Sequence, residues 1–199
     1  MPDLHPSYPI HTARLLIRPL AAADTEDLLA YRSMEQVCRY VPFYPMDSAA
    51  VAEKLKESWA RRMIRAEGDS LTLGVELAES GALIGDVVLF FHSSEHRGGE
   101  IGWVLNPAYS GFGYATEACH ALLHLAFGQL GLHRVVARVV EGNSASLRLA
   151  DRVGMRREAH LISNRYFKGA WVGEVDFALV EDDWATQHAP GGGLGDRPR

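Results

Sequence analysis

The sequence predicts a single mixed α/β (α+β) domain on one mostly antiparallel sheet of seven strands, with a central β-α-β crossover and about four helices. Three observations support this prediction. Apolar residues make up 47% of the 199 residues, which is enough to fill one core of ordinary size. Strand-like and helix-like apolar patterns alternate along the chain. One helix pattern lies between two strand patterns with short joins, as in a crossover between parallel strands.

The predicted strands are short apolar or alternating runs bounded by turn residues. They are residues 14–20, 70–77, 82–91, 100–106, 133–140, 155–167 and 171–180. The segment AESG joins the second strand to the third as a hairpin, and KGA joins the last two. The fourth and fifth strands flank the long helix of the crossover, so we predict that they run parallel.

The helices are predicted from apolar spacing and from capping residues. They cover residues 24–33, about 49–66, 113–130 and 143 to about 153. Asp24, Ser48 and Asn143 are the candidate N-caps of the first, second and fourth helices. Gly154 follows the last helix in the C′ position that favours glycine.

The folded domain is predicted to span residues 12–184. Residues 1–11 and 185–199 are rich in proline or glycine without apolar periodicity, so we expect disordered tails. We expect no membrane partner, because no apolar run reaches the ~18 residues of a span and no secretory signal is recognised. Cys38 and Cys119 form no disulfide framework, so a cytoplasmic location is expected. The net charge of −5 argues against a nucleic-acid partner.

Two glycines, Gly111 and Gly113, lie where strand 100–106 turns into helix 113–130. Glycine allows a positive φ angle and lets a ligand approach the backbone closely. The first amides of a helix are unpaired and its dipole favours an anion. The turn is therefore a candidate phosphate-binding corner. The alternative is a plain strand-to-helix turn that merely requires glycine.

The segment SGFGYATEA (110–118) resembles the pyrophosphate loop of the GNAT superfamily of N-acyltransferases. In that loop Gln or Arg is followed after two residues by Gly, then by one residue and Gly or Ala. Gly113 and Ala115 match, whereas Ser110 replaces the Gln or Arg. The segments EIGWVLNPAYSGFGYATEA, NSASLRLADRVGMRRE and RYFKGAWVGEVDFALVEDDW resemble the ribosomal-protein N-terminal (alanine/serine) acetyltransferase subgroup. The resemblance covers about residues 12–184.

This resemblance implies an N-acetyltransferase that uses acetyl-CoA, or another short acyl-CoA, and no metal. Strand 100–106 should splay from strand 133–140, so that the pantetheine arm lies between them and the pyrophosphate lies on the loop amides. The implied cofactor-binding residues are Val104, Leu105, Ser110, Gly111, Phe112, Gly113, Tyr114, Ala115, Thr116, Asn143 and Ser146.

Glu100 and Ser146 are the candidate catalytic residues. Acyl transfer needs a neutral amine, a donor for the oxyanion and, where required, a proton for the leaving thiolate. Strand alternation places Glu100 on one face with Gly102 and Val104, as a candidate base or as a solvated strand-end carboxylate. Ser146 lies on the apolar face of its helix, where it could bond a carbonyl of the preceding turn. The resemblance adds donation to the CoA sulfur, because Ala150 replaces the family's tyrosine acid.

Other residues are weaker candidates. Glu158 is a second candidate base, and Arg165 lies near a position where some relatives carry a glutamate base. His120 and His124 have metal-ligand spacing, but they lie off the apolar stripe and no metal is expected. The aromatic residues near the first two helices cover the acceptor site, as in relatives, or pack in the core. These are Tyr40, Phe43, Tyr44 and Trp59.

The resemblance implies direct transfer to a primary amine in a ternary complex, which draws its rate largely from proximity. The acceptor is left open between a protein N-terminus, a polyamine, an amino acid and an antibiotic, and a homodimer is also left open. The alternative function is a non-catalytic acyl-CoA-binding sensor or scaffold. A different nucleotide-binding α/β protein ranks last, because the chain lacks GxxxxGK[ST] and GxGxxG.

Overall fold

The computed structural model describes residues 4–188, which form one mixed sheet flanked by helices on both faces. The strands are β1 (Ile10–His11), β2 (Leu15–Pro19), β3 (Ser70–Leu77), β4 (Leu83–Ser93), β5 (Gly98–Leu105), β6 (Arg134–Val140), β7 (Arg156–Phe167) and β8 (Ala170–Val180). The α-helices are α1 (Thr25–Arg32), α2 (Glu35–Cys38), α3 (Ser48–Lys54), α4 (Tyr114–His124), α5 (Ser144–Arg152) and α6 (Glu181–Gln187).

The sheet has the predicted mixed topology. Its spatial order is β1-β2-β3-β4-β5-β6-β8-β7, and every neighbouring pair is antiparallel except β5 and β6. These two strands are joined through α4, which confirms the predicted central crossover. The sheet has eight strands where seven were predicted, because the two-residue β1 pairs with β2 at Ile10↔Ile17 and His11↔Leu16.

The two ends of the chain differ from the expected tails. Leu4 is 2% exposed and exchanges backbone hydrogen bonds of 2.9 and 3.1 Å with Ile64, so the described residues 4–11 pack on the domain instead of being disordered. At the other end α6 continues to Gln187 and buries Trp184. The rest of the expected C-terminal tail, from residue 189, lies outside the described residues. The limits of the domain at residues 12 and 184 stay a prediction.

The predicted N-cap positions hold for the first and last helices, and the cap of the second helix shifts by one residue. Asn143 caps α5, since its side-chain oxygen accepts from the Ser146 amide at 3.2 Å. The cap of α3 is Asp47, one residue before the predicted Ser48, and this helix continues only through a π-helical turn to Trp59 instead of residue 66. Asp24 precedes α1, but its carboxylate accepts from the Ala21 amide and from Arg18 instead of capping that helix.

Two apolar clusters lie on opposite faces of the sheet. The larger packs α4 and α5 against the strands, with Ile101 of β5 among its buried residues. The smaller packs α1 and α3 against the other face, where Val104 of β5 joins it. The predicted alternation along β5 is therefore confirmed. Among residues 4–188, none of the helices has both the length and the apolar character to cross a bilayer.

Candidate functional site

The gap between β5 and β6 is the central feature of the candidate site. These strands pair only at Gly98↔Arg134, Gly99↔Val135 and Glu100↔Val136. From there β5 stays paired with β4 as far as Leu105, while β6 stays paired with β8. The predicted splay is therefore present. A cavity of about 620 Å³ opens at the divergence, and residues of both strands line it.

The glycine turn lies at the end of β5 and leads into α4. Gly111 and Gly113 have φ angles of 89° and 83°, in the left-handed region where other residues are strained. Gly113 occupies the N-cap position of α4, and no side chain caps the helix. The amides of the first turn are thus free of side-chain partners among the described residues. Their geometry fits an anion at the start of this helix.

Arg14, just before β2, holds this turn in place. Its guanidinium donates to the Phe112 carbonyl at 2.9 Å and lies 4.6 Å from the centre of the Tyr114 ring. It also donates to Glu117 at 2.8 Å, and the Thr12 hydroxyl donates to the same carboxylate at 2.6 Å. Burial would raise the pKa of Glu117, but these hydrogen bonds hold it below its ordinary value. The carboxylate in the first turn of α4 is therefore ionised and neutralised by Arg14.

Ser146 faces the cavity from the first turn of α5. Its hydroxyl oxygen accepts from the indole N–H of Trp103 at 3.1 Å. An indole can only donate, so this contact leaves the Ser146 proton available to another acceptor. The sequence offered a carbonyl of the preceding turn as the partner, and the structure provides Trp103 from across the β5–β6 gap instead. Asn143 and Ala150 occupy their predicted places, and Asn143 also lines the cavity.

Glu100 lies at the last β5–β6 pair, where the cavity opens. Its carboxylate accepts from His92 Nε2 at 3.0 Å and forms an ion pair with Arg138 of β6. The side chain is only 20% exposed. Glu100 is thus a partly enclosed carboxylate with a route through His92 to solvent, rather than a fully solvated strand end.

A buried ion pair lines another part of the cavity. Arg32 of α1 pairs with Asp86 of β4, and the Tyr31 hydroxyl donates to Asp86 at 2.7 Å. Burial alone would lower the pKa of Arg32, but the Asp86 carboxylate raises it above its usual value. The Arg32 guanidinium lies 4.3 Å from the ring centre of Phe43 and 4.6 Å from that of Trp59. The pair therefore fixes two aromatic walls of the cavity.

The β7–β8 hairpin contacts segment 38–44, and part of this segment lines the cavity. At its tip Lys168 donates at 2.5 Å to the carbonyls of Cys38 and Phe43. Its ammonium also lies 4.8 Å from the centre of the Tyr44 ring. Arg165, near the same tip, donates to the buried Glu174 at 3.3 Å. Lys168 thus holds segment 38–44 against the hairpin.

The remaining candidates lie apart from this site. Glu158 pairs with Arg134, which lowers the pKa of the carboxyl, and it does not line the cavity. His120 packs near Trp184 and His188, and burial lowers its pKa. Within residues 4–188 no group of three His, Cys, Asp or Glu side chains is arranged to hold a metal ion.

Sequence reasoning missed the residues that hold the candidates in place. These are Arg14, Arg32, Asp86, His92, Trp103, Arg138 and Lys168. Most of their partners lie far away along the chain, and even His92 and Glu100 lie on different strands, so local periodicity carries no sign of the pairing. One weak signal was available, because an arginine and an aspartate in otherwise buried segments require partners.

Comparisons with known proteins identify the family. Residues 14–156 match the model of the acetyltransferase (GNAT) domain. The chain is 34% identical to YnaD, an uncharacterized N-acetyltransferase of Bacillus subtilis (strain 168), over 88% of this chain and 98% of that protein. A GNAT-family acetyltransferase crystal structure from Bacillus anthracis has a TM-score of 0.78 at 30% identity, covering 87% and 98% of the two chains.

The ribosomal-protein subgroup is also represented among the solved structures. A ribosomal-protein-serine acetyltransferase candidate from Vibrio cholerae has a TM-score of 0.74, covering 88% of this chain and 99% of the other. At 23% identity this likeness shows the fold alone. The family match, the glycine turn and the splayed strands favour an enzyme over a sensor. The chain belongs to the GNAT acetyltransferase family and is an acetyl-CoA-dependent N-acetyltransferase.

Proposed function

We propose that this enzyme transfers the acetyl group directly to a primary amine bound in the same cavity, with Glu100 as the base and Ser146 as the acid. The observation that carries the proposal is the β5–β6 divergence, which brings both residues to the lining of one cavity of about 620 Å³. Glu100 lies where the gap begins, and Ser146 lies across it beside Trp103. One carboxylate and one hydroxyl therefore face the same enclosed space.

The backbone on the cofactor side of the cavity supports binding of acetyl-CoA, which supplies the thioester. The open edge of β5 at Val104 and Leu105 offers amides and carbonyls to the pantetheine arm. The glycine turn lies outside the cavity lining and offers the amides of Ser110, Gly111, Phe112, Gly113, Tyr114, Ala115 and Thr116 to the pyrophosphate, while Asn143 and Ser146 line the cavity itself. The loop itself contains no lysine or arginine, so we assign the recognition chiefly to backbone amides.

The proton transfers follow from the positions of the two side chains. Glu100 takes a proton from the amine, either directly or through a water molecule, while the amine nitrogen bonds to the acetyl carbon. The carbon–sulfur bond then breaks, and Ser146 gives its hydroxyl proton to the leaving thiolate. His92 returns the proton from Glu100 to solvent, and solvent reprotonates Ser146.

Direct transfer is favoured over a covalent acyl-enzyme. The two thiols, Cys38 and Cys119, are both buried, and neither lines the cavity. Burial raises the pKa of Cys119 to about 12 and also raises that of Cys38, so both are protonated and poorly nucleophilic at neutral pH. Among primary amines, the resemblance to the ribosomal-protein subgroup favours a protein N-terminus. Location in the cytoplasm and a homodimer stay predictions.

Thiol release from acetyl-CoA, measured across a panel of primary amines, tests this proposal. We expect turnover that Glu100→Gln lowers by about 100-fold or more. Ser146→Ala should lower kcat more modestly, because a thiolate is a fair leaving group. Glu158→Gln is the matched control and should keep full turnover. Full activity of Glu100→Gln would place the base elsewhere, and no release with any amine would favour the sensor.

A further inference from the structure

We infer that the acceptor is a primary monoamine attached to an apolar or aromatic body, and not a polyamine. This inference rests on the proposed function, because it assigns the acceptor class for the same cavity. It follows from two observations on the acceptor side of the cavity, one concerning its charges and the other concerning its walls.

The charged side chains that line the cavity leave no carboxylate free for a second ammonium group. Asp86 is paired with Arg32, Glu100 with Arg138, and Glu174 with Arg165. The lining also includes Lys54, which pairs with Glu57, so every charged side chain that lines the cavity already has a partner of opposite charge. The net charge of the whole chain is −5, but that negative charge is not concentrated here.

A second ammonium group in this cavity would be poorly compensated. Asp86 and Glu174 are 2% and 5% exposed, and each already accepts hydrogen bonds from two side chains. A diamine would have to displace an arginine from one of these carboxylates or lie next to Arg138 or Arg165. Either arrangement removes a charge from water without adequate pairing, which is unfavourable.

Apolar side chains line the cavity next to Glu100, together with the small polar side chains of Ser70 and Thr72. Phe90 of β4 lies directly opposite Glu100 in the β4–β5 pairing and is 37% exposed. Val88, Phe43 and Trp59 continue the apolar lining towards the buried ion pair. An acceptor nitrogen at Glu100 therefore has a carbon skeleton placed against aromatic and aliphatic side chains, where burial is favourable.

A matched pair of amines tests the inference by calorimetry. Hexylamine and 1,6-diaminohexane share a primary amine and a chain length, and they differ in the second ammonium. Titrated into the protein saturated with free CoA, hexylamine should bind about tenfold more tightly or better. Equal or tighter binding of the diamine, or no binding of hexylamine, overturns the inference. Free CoA cannot react, so this result is independent of the thiol-release test of the proposed chemistry.

Two variants locate the preference in the cavity. Arg138→Gln leaves the Glu100 carboxylate without its arginine, so diaminohexane should gain affinity relative to hexylamine. Arg148→Gln, on the exposed face of α5 and away from the cavity, is the matched control and should leave the ratio unchanged. Phe90→Gln should weaken hexylamine binding several-fold while CoA binding confirms that the variant is folded. Unchanged amine affinities in both cavity variants would contradict the assignment.

Discussion

The proposed cofactor side and the proposed acceptor side of the site are built in different ways. The proposed cofactor side uses backbone from a nearly continuous stretch, β5, the glycine turn and the start of α4. The acceptor side uses side chains from α1, segment 38–46, β4, β6 and the β7–β8 hairpin. The first therefore depends on a few backbone angles, and the second depends on long-range ion pairs and hydrogen bonds.

Because of this difference, we expect the two sides of the site to tolerate different substitutions. A binding site made of backbone amides is disrupted by substitutions that cannot adopt its φ angles. It is largely insensitive to changes in the side chains around it. A wall made of side chains can be changed one residue at a time, with effects on the acceptor and not on CoA. The predictions below test that separation in order of decreasing effect.

Gly113→Asp should have the largest effect on the cofactor side. The φ angle of 83° strains an added side chain, and the new carboxylate would lie beside the predicted pyrophosphate position. We expect CoA affinity to fall by about 100-fold in calorimetry. Gly68→Asp is the control, since Gly68 has a φ angle of 89° and open space around it but lies outside the glycine turn. An equal loss in both variants would mean that strain alone is responsible.

Arg14→Met should lower CoA affinity by about tenfold, because it leaves the Glu117 charge uncompensated in the first turn of α4. Glu117→Gln alone should change affinity little. The double variant should recover much of the lost affinity, and the effect of Arg14→Met should shrink in high salt. If the double variant binds as weakly as Arg14→Met, Arg14 acts only by holding the loop.

Lys168→Met should affect the acceptor side alone. The substitution removes the two hydrogen bonds that join the hairpin to segment 38–44, while keeping a long side chain. We expect KM for the amine to rise several-fold with CoA affinity unchanged. Lys56→Met, on the exposed surface beyond α3, is the matched control. Weakened CoA binding in Lys168→Met would mean that the two sides are coupled.

The smallest predicted effect is on stability in acid. The folded-state pKa of Glu117 is lowered, so its contribution is present above its ordinary pKa of about 4.3 and is lost as pH falls through the folded value. The Tm of Glu117→Gln should therefore lie below wild type at neutral pH, and the two should converge in acid. Parallel Tm curves would contradict this role.

The same contrast explains how much could be predicted from the sequence. The mixed sheet, the crossover and the Asn143 cap follow from local periodicity and capping chemistry, and all are present. The partner of Ser146 could not be predicted, because Trp103 reaches it across the gap between two strands. The second helix was predicted too long, since the apolar spacing continues to Met63 while the chain leaves the helix after Trp59.

The three residue pairs between β5 and β6 have one more consequence. They divide the sheet into two parts, β1–β5 and β6–β8, which are paired with each other only at one end of β5 and β6. A ligand arm that bonds the open edges of both strands would hold the two parts of the sheet together, so its binding would stabilise the folded protein. Amide hydrogen exchange in residues 101–105 and 137–140 should then slow together when CoA binds. The lifetime of this protein in a cell would thus follow the supply of its own substrate.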